Sequence, residues 1–186
     1  MNYFFIPASR PNYPLVFAKE NPVNGSFLAL GRFITDNITV PLKYNDANNS
    51  DIDFEKLLSY DVLDTVGGGL LVSGKVYDVI TAAFPNEVQF FKASFVYKNQ
   101  PCDSYYVMNI YNNVECYDME KSIYTRHPVD QSYNFAKAVL KNGPIEEYGY
   151  EYNAVREAFD NKMVVSKAFV DCIKQAGINS MKFTSK

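Results

Sequence analysis

Imidazole and thiol chemistry in this chain must be built from His127, Cys102, Cys116 and Cys172, the single histidine and the three cysteines of the sequence. A zinc site takes three or four nitrogen, sulfur or oxygen ligands and leans on histidine and cysteine. His127 precedes Pro128 with no cysteine or carboxylate cluster at ligand spacing beside it, and no CxxC pair occurs. No metal and no cofactor are therefore expected. A nucleophilic pair of Cys102 or Cys116 with His127 would have to be assembled by folding. The plainer expectation is two structural thiols and a loop imidazole. Gly67-Gly68-Gly69 invites a phosphate-loop reading. Such a loop follows a strand and precedes a helix, whose free N–H groups face the anion. Here the glycines come before an apolar strand, so they read as a turn. No GxSxG elbow, HExxH pair or P-loop is present. The catalytic set is expected to be empty, although a carboxylate pair that hydrolyses glycosides need not be close in sequence.

Charge is more informative than nucleophiles. Residues 46–64 hold six acids against Lys56 alone, and residues 146–160 hold five against Arg156 alone. The tail from residue 162 onward runs the other way, with five lysines and only Asp171. Charge runs are usually solvated faces. The second acidic run differs because it interleaves Glu146, Glu147 and Glu151 with Tyr148, Tyr150 and Tyr152. Tyrosine is enriched where proteins touch, and acids steer a basic partner. These six residues are the candidate partner-binding set.

The elements that must position them are organised around a repeat. LLVSGKVYDVITAAFPNEVQFFKA, from Leu70, is echoed at the C-terminus by VVSKAFVDCIKQAGINSMKFT, from Val164. Ser73 maps to Ser166 at an offset of 93, and Val76, Asp78 and Ile80 map to Phe169, Asp171 and Ile173. Each copy reads as a strand, a capping serine, a short helix with one apolar stripe, a break and a second strand. Gly177 suits a left-handed cap, and Pro85 stops the first helix. Elsewhere, residues 3–6, 27–33, 38–44 and 88–97 read as strands, with irregular chain around Pro11, Pro14 and Pro22 and a polar loop over 45–50. Residues 52–63 suggest a short helix. Residues 104–111 and 114–117 suggest a hairpin turning at Asn112-Asn113. Residues 132–140 suggest a helix burying Phe135, Val139 and Leu140, ended by Gly143-Pro144. Residues 148–158 have no clear pattern.

Strands and helices mix without strict alternation, which predicts an α+β fold with a central mixed, partly antiparallel sheet carrying two strand-Ser-helix-strand units. At 186 residues, with 47% hydrophobic and 21% charged residues and no linker, one domain over 1–186 is expected. A net charge of −3 argues against nucleic acid and anionic membranes as partners. No apolar run approaches a membrane span, and the N-terminal MNYFFIPASRP lacks a basic segment before its apolar run. A cytoplasmic protein is the expectation.

The order of these segments resembles a known family. An Asp-rich stretch leads into LLVS and a helix, then VQFFKA, then YYVMNIYNNVECYD with Ser122 four residues on, and last VVS, a helix and GINSMKF. This is similar to the eleventh family of bacterial polymorphic-toxin immunity proteins, over about residues 70–183. The recognisable positions are Tyr105, Tyr106, Asn109, Asp118, Ser122, Gly177 and Phe183. The resemblance implies a non-enzymatic binder that neutralises a cognate toxin domain by covering its active surface. Two other classes stay open: a hydrolase assembled from distant carboxylates, and an accessory module binding a small molecule in an aromatic pocket.

Overall fold

The computed structural model describes residues 1–8, 15–18, 21–46, 50–66 and 68–185. In chain order the elements begin with β1 (Asn2–Pro7), β2 (Leu15–Ala18), α1 (Gly25–Ala29), β3 (Leu42–Asp46), α2 (Phe54–Leu58) and β4 (Val62–Val66). The first repeat follows as β5 (Leu70–Ser73), α3 (Gly74–Ala83) and β6 (Val88–Tyr97). Then come β7 (Gln100–Cys102), β8 (Tyr105–Ile110), β9 (Asn113–Val114), β10 (Ile123–Arg126), β11 (Tyr133–Lys137), β12 (Ile145–Glu147), β13 (Tyr150–Tyr152) and β14 (Ala154–Glu157). The second repeat closes the chain as β15 (Met163–Ser166), α4 (Lys167–Gln175) and β16 (Met181–Thr184).

The fold is α+β, with two large sheets in place of one central sheet. In the first, the order β3-β2-β4-β5-β8-β6 closes on itself because β3 also pairs with β6, and β7 extends β6. Closure removes the free edges that a flat sheet would expose. Alternation along the strands then sorts residues to inside and outside. Leu42, Tyr44, Leu63, Leu71, Phe95, Tyr105 and Val107 fill one core cluster. Val62, Leu70, Val72, Met108 and Ile110 belong to another, with Val76, Ile80, Phe169, Val170 and Ile173 of the two helices. This explains why Leu70–Val72 is a continuous apolar run: it is covered on both faces.

The second sheet, β16-β1-β15-β14-β9, presents Phe5, Ala154 and Val165 to that same helical layer. Its other face carries Phe4, Val155 and Val164, packed with Tyr117, Leu140 and Ile145 in a third cluster. α3 and α4 run antiparallel between barrel and sheet. Phe84 stacks on Phe169 at 5.4 Å, and Lys75 Nζ donates to the Gly177 carbonyl at 3.0 Å.

The repeat is a reciprocal clasp. Ser73 Oγ accepts from Val76 N–H at 3.4 Å, and Ser166 Oγ accepts from Phe169 N–H at 3.2 Å, so both serines cap their helices. Each hydroxyl also donates, Ser73 to Asp61 Oδ1 at 2.8 Å and Ser166 to Asn153 Oδ1 at 2.7 Å. Each serine N–H donates to the carbonyl of the same residue, Asp61 or Asn153, at 2.9 Å. The residue after the opposite helix completes the pattern. Asn179 N–H donates to Asp61 Oδ2 at 2.8 Å, while Glu87 accepts from both Asn153 N–H and Asn153 Nδ2. The two units therefore hold each other as well as themselves.

Several expectations are corrected. Residues 27–33 form no strand: Asn24 Oδ1 accepts from Ser26 N–H at 3.0 Å and starts α1, a cap that outweighs the apolar run. Of 38–44 only the part from Leu42 pairs, and of 52–63 only Phe54–Leu58 is helical. β8 and β9 form no hairpin. Asn112-Asn113 carries the chain from the barrel to the second sheet, where β9 lies parallel to β14. Residues 132–140 are not a helix, because Tyr133 and Phe135 line one side of a ribbon and meet Tyr124 across it. Cross-strand aromatic pairing there outweighs the helical spacing of Phe135 and Val139. Gly68 and Gly69, with φ of 116° and 77°, turn the chain into β5, and a Cβ on Gly68 would sit 2.2 Å from the Gly25 carbonyl. Pro11, Pro14, Gly67 and part of the 45–50 loop lie outside the described residues.

Candidate partner-binding surface

The acidic, tyrosine-rich run folds as the two-stranded hairpin β12–β13. Its loop is the two residues Tyr148 and Gly149, with φ of 50° and 80°. Positive φ at both positions is the geometry that matches strand twist in a two-residue hairpin, and asparagine and glycine are its natural occupants. A bulky side chain there is strained by about 1 kcal/mol or more. Tyr148 does not recover that cost by packing, because its side chain is 92% exposed. A second local cost lies one step down the ladder. Glu146 stands directly opposite Glu151, both exposed, and like charges at facing positions repel.

The register divides the six candidate residues. Ile145 faces Tyr152 at the base, and both pack into the third cluster, so Tyr152 anchors the hairpin. Glu147 faces Tyr150, which is 70% exposed, on the same side as that base. Glu146 and Glu151 occupy the opposite side. The projecting end therefore presents tyrosine edges and carboxylates together, on two faces of one ribbon.

The family positions lie in the framework. Tyr105 hydroxyl donates to the Leu57 and Tyr60 carbonyls at 2.9 and 2.8 Å, fixing α2 across the barrel mouth. Tyr106 stacks on Tyr77 at 4.3 Å on the outside. Asn109, fully buried, donates through Nδ2 to the Arg32 carbonyl and to Gln89 Oε1. Asp118 accepts Ser122 N–H through its carbonyl, and Ser122 Oγ accepts from Val139 N–H, which holds the base of β10–β11. Gly177 takes φ of 62° after α4, and Phe183 packs on Phe5. These seven residues position elements and do not converge on one point.

The thiols and the imidazole stay apart in character. Cys102 and Cys116 are buried, and burial pushes the Cys116 thiol up to about 12. Cys172 is half-buried against the helical layer. His127 sits in the exposed loop of β10–β11, with Nδ1 3.0 Å from Asp130 Oδ1. Among the described residues no group of three or more His, Cys, Asp or Glu side chains is placed to hold a metal ion. Among them, too, no helix is long and apolar enough to cross a membrane.

Two features escaped the sequence. The β10–β11 ribbon projects with Ile123 59% and Val129 84% exposed. Beside it, a groove of about 860 Å³ opens between β11, the end of β1 and the β14–β15 turn, with Arg156 among its lining residues. The one signal for it was Arg156 itself, the lone base within the acidic run. A family model described as an immunity protein family (Imm11) matches residues 51–185, which takes in the hairpin, the ribbon and Arg156. No curated protein matches the chain.

Proposed function

Because the chain belongs to the Imm11 immunity protein family, we propose that it binds and neutralises a cognate bacterial toxin domain without catalysis of its own. In this reading it acts in the cytoplasm as one folded domain over residues 1–186, with the β12–β13 hairpin touching the toxin. The observation that carries the choice of surface is Tyr148. An aromatic side chain held at positive φ and left almost wholly in solvent is a cost to folding that an interface would offset. The facing pair Glu146 and Glu151 fits the same logic, since a basic patch on the toxin would relieve their repulsion. Glu147 and Tyr150 would extend the contact, and Tyr152 would hold the hairpin in place.

The test is the kinetics of association with a cognate toxin domain. Reversing Glu146, Glu147 and Glu151 to Lys should slow association and flatten its dependence on salt, because steering by opposite charge is screened over about 8–10 Å in ordinary buffers. Replacing Tyr148 and Tyr150 by Ala should mainly speed dissociation. Variants that bind and protect like wild type would move the interface elsewhere on the molecule.

A further inference from the structure

The groove beside β1 is lined in part by a cation that has no counter-ion among the described residues. Arg156 is 8% exposed. Its Nε donates to the Ile110 carbonyl at 3.2 Å and its Nη1 to the Asn161 carbonyl at 3.2 Å. Both acceptors are neutral, and among the described residues no carboxylate pairs with the guanidinium. Burial alone pulls it down to about 10, so the folded chain bears the cost of a desolvated charge. The space for it is built in: a Cβ on Gly31 would fall 2.7 Å from Arg156 Cγ and 2.8 Å from Nε. A guanidinium has five donors in a flat fork, and the one geometry that satisfies such a fork and its charge together is a carboxylate or a similar oxyanion.

The rest of the groove agrees. Phe4, Ile6, Phe135 and Met163 supply apolar walls, and Lys137 adds a second exposed cation at the rim. Among the described residues no carboxylate lines it. Lys162, also in the lining, is paired with Asp160 at 2.7 Å. The groove shares an element with the hairpin. Asn2, at the start of β1, donates to the Lys141 and Gly143 carbonyls that lead into β12. Ile6, near the other end, lines the groove. Four residues of strand span only about 13 Å at ~3.3 Å per residue, well inside the footprint of one protein partner.

We propose that this groove, which reaches both faces at the sheet end, receives an aspartate or glutamate of the toxin flanked by apolar residues, with Arg156 taking the carboxylate, Met163 the flank on its own face, and Phe4, Ile6 and Phe135 the flank on the other. The inference rests on the toxin-binding reading above and gives the toxin a second, oppositely charged point of contact. A basic patch would meet the hairpin and an acidic side chain would meet the groove. Two such contacts of opposite sign fix orientation and reject partners that reverse either one.

Arg156→Gln is the obvious variant, yet it also disturbs the bonds to Ile110 and Asn161. Ile6→Asp and Lys137→Glu avoid that difficulty, because both positions are exposed and both put negative charge on the groove wall that the toxin carboxylate must approach. Binding to the cognate toxin domain is measured for wild type and each variant, alongside thermal melts. The expected result is at least about tenfold weaker binding for Ile6→Asp and for Arg156→Gln, with a smaller loss for Lys137→Glu, and melts unchanged for the two exposed sites. Ile6→Asp and Lys137→Glu that bind within twofold of wild type overturn the proposal while leaving the hairpin reading intact. A wild type that binds no toxin overturns both. A third arm titrates 4-phenylbutyrate against 4-phenylbutanol and follows the Arg156 Nε–Hε resonance. A shift with the acid that toxin prevents supports the carboxylate site. A shift that toxin leaves untouched assigns the groove to a small molecule and overturns the proposal.

Discussion

Removing either capping hydroxyl should reveal the clasp between the two repeats, and it should do so unequally. Ser73 and Ser166 each cap a helix, and loss of such a cap costs about 1 kcal/mol. Each hydroxyl also donates to a second acceptor, and these differ. Ser166 donates to the amide oxygen of Asn153, a neutral bond of about 1 kcal/mol. Ser73 donates to Asp61, which is 8% exposed, and hydrogen bonds to charged groups are worth about 1.5–3 kcal/mol. Asp61 keeps its bond from Asn179 N–H, so the carboxylate is not wholly orphaned and the lower part of that range applies. Ser166→Ala should therefore lose about 2 kcal/mol and Ser73→Ala about 2.5–3 kcal/mol. Equilibrium urea unfolding of both variants gives the numbers, with Ser73→Thr expected to recover most of the loss. Equal melting of wild type and both alanine variants would refute the capping account, and a larger loss at Ser166 would refute the ranking.

Glu157 gives a pH signature. Its carboxyl has no exposure, Oε2 accepts from Phe159 and Asp160 N–H groups, and burial raises it above the ordinary 4.5. A raised acid favours the folded state at low pH and loses that contribution as pH climbs through the folded value. The stability of Glu157→Gln relative to wild type should thus improve between about pH 4 and pH 7, followed by melting temperature; a flat or falling difference contradicts this. In a thiol assay on the folded protein, Cys172 should react first, while Cys116, buried and with its thiol pushed up to about 12, should react only on unfolding. Equal rates for the two would sink that ranking. Tyr148→Asn should raise stability by about 0.5–1 kcal/mol in urea unfolding, because asparagine tolerates the positive φ that tyrosine does not, and no gain would remove the strain argument.

The repeat was legible because its signals are local: a serine, an apolar stripe and a stop, all within about three turns of chain. β6 was legible in full, Val88–Tyr97, from alternation alone. Barrel closure was not, because it depends on β3 meeting β6 across residues 42–45 and 93–96, a pairing with no local trace. Residues 132–140 read as a helix for a related reason. Phe135 and Val139 have helical spacing, but Tyr124, in the partner strand, decides the outcome. At the candidate surface the residue types were legible and the division was not. Only the register puts Glu146 and Glu151 on one side, Glu147 and Tyr150 on the other, and Tyr152 into the core. Arg156 stood out as the only base in an acidic run, yet its burial, with no counter-ion among the described residues, depends on Ile110 and Gly31, which lie far away in sequence.

Neutralisation itself is the most direct measurement. The activity of a cognate toxin domain is titrated with wild-type protein and with a variant carrying Tyr148→Asn and Tyr150→Ser, whose turn is relieved of strain and whose fold should be at least as stable. Wild type is predicted to abolish activity at a stoichiometric ratio, and the variant to need a large molar excess although it melts no earlier. Toxin that stays active under excess wild type would contradict the account, and a variant that inhibits as well as wild type would take the hairpin out of it.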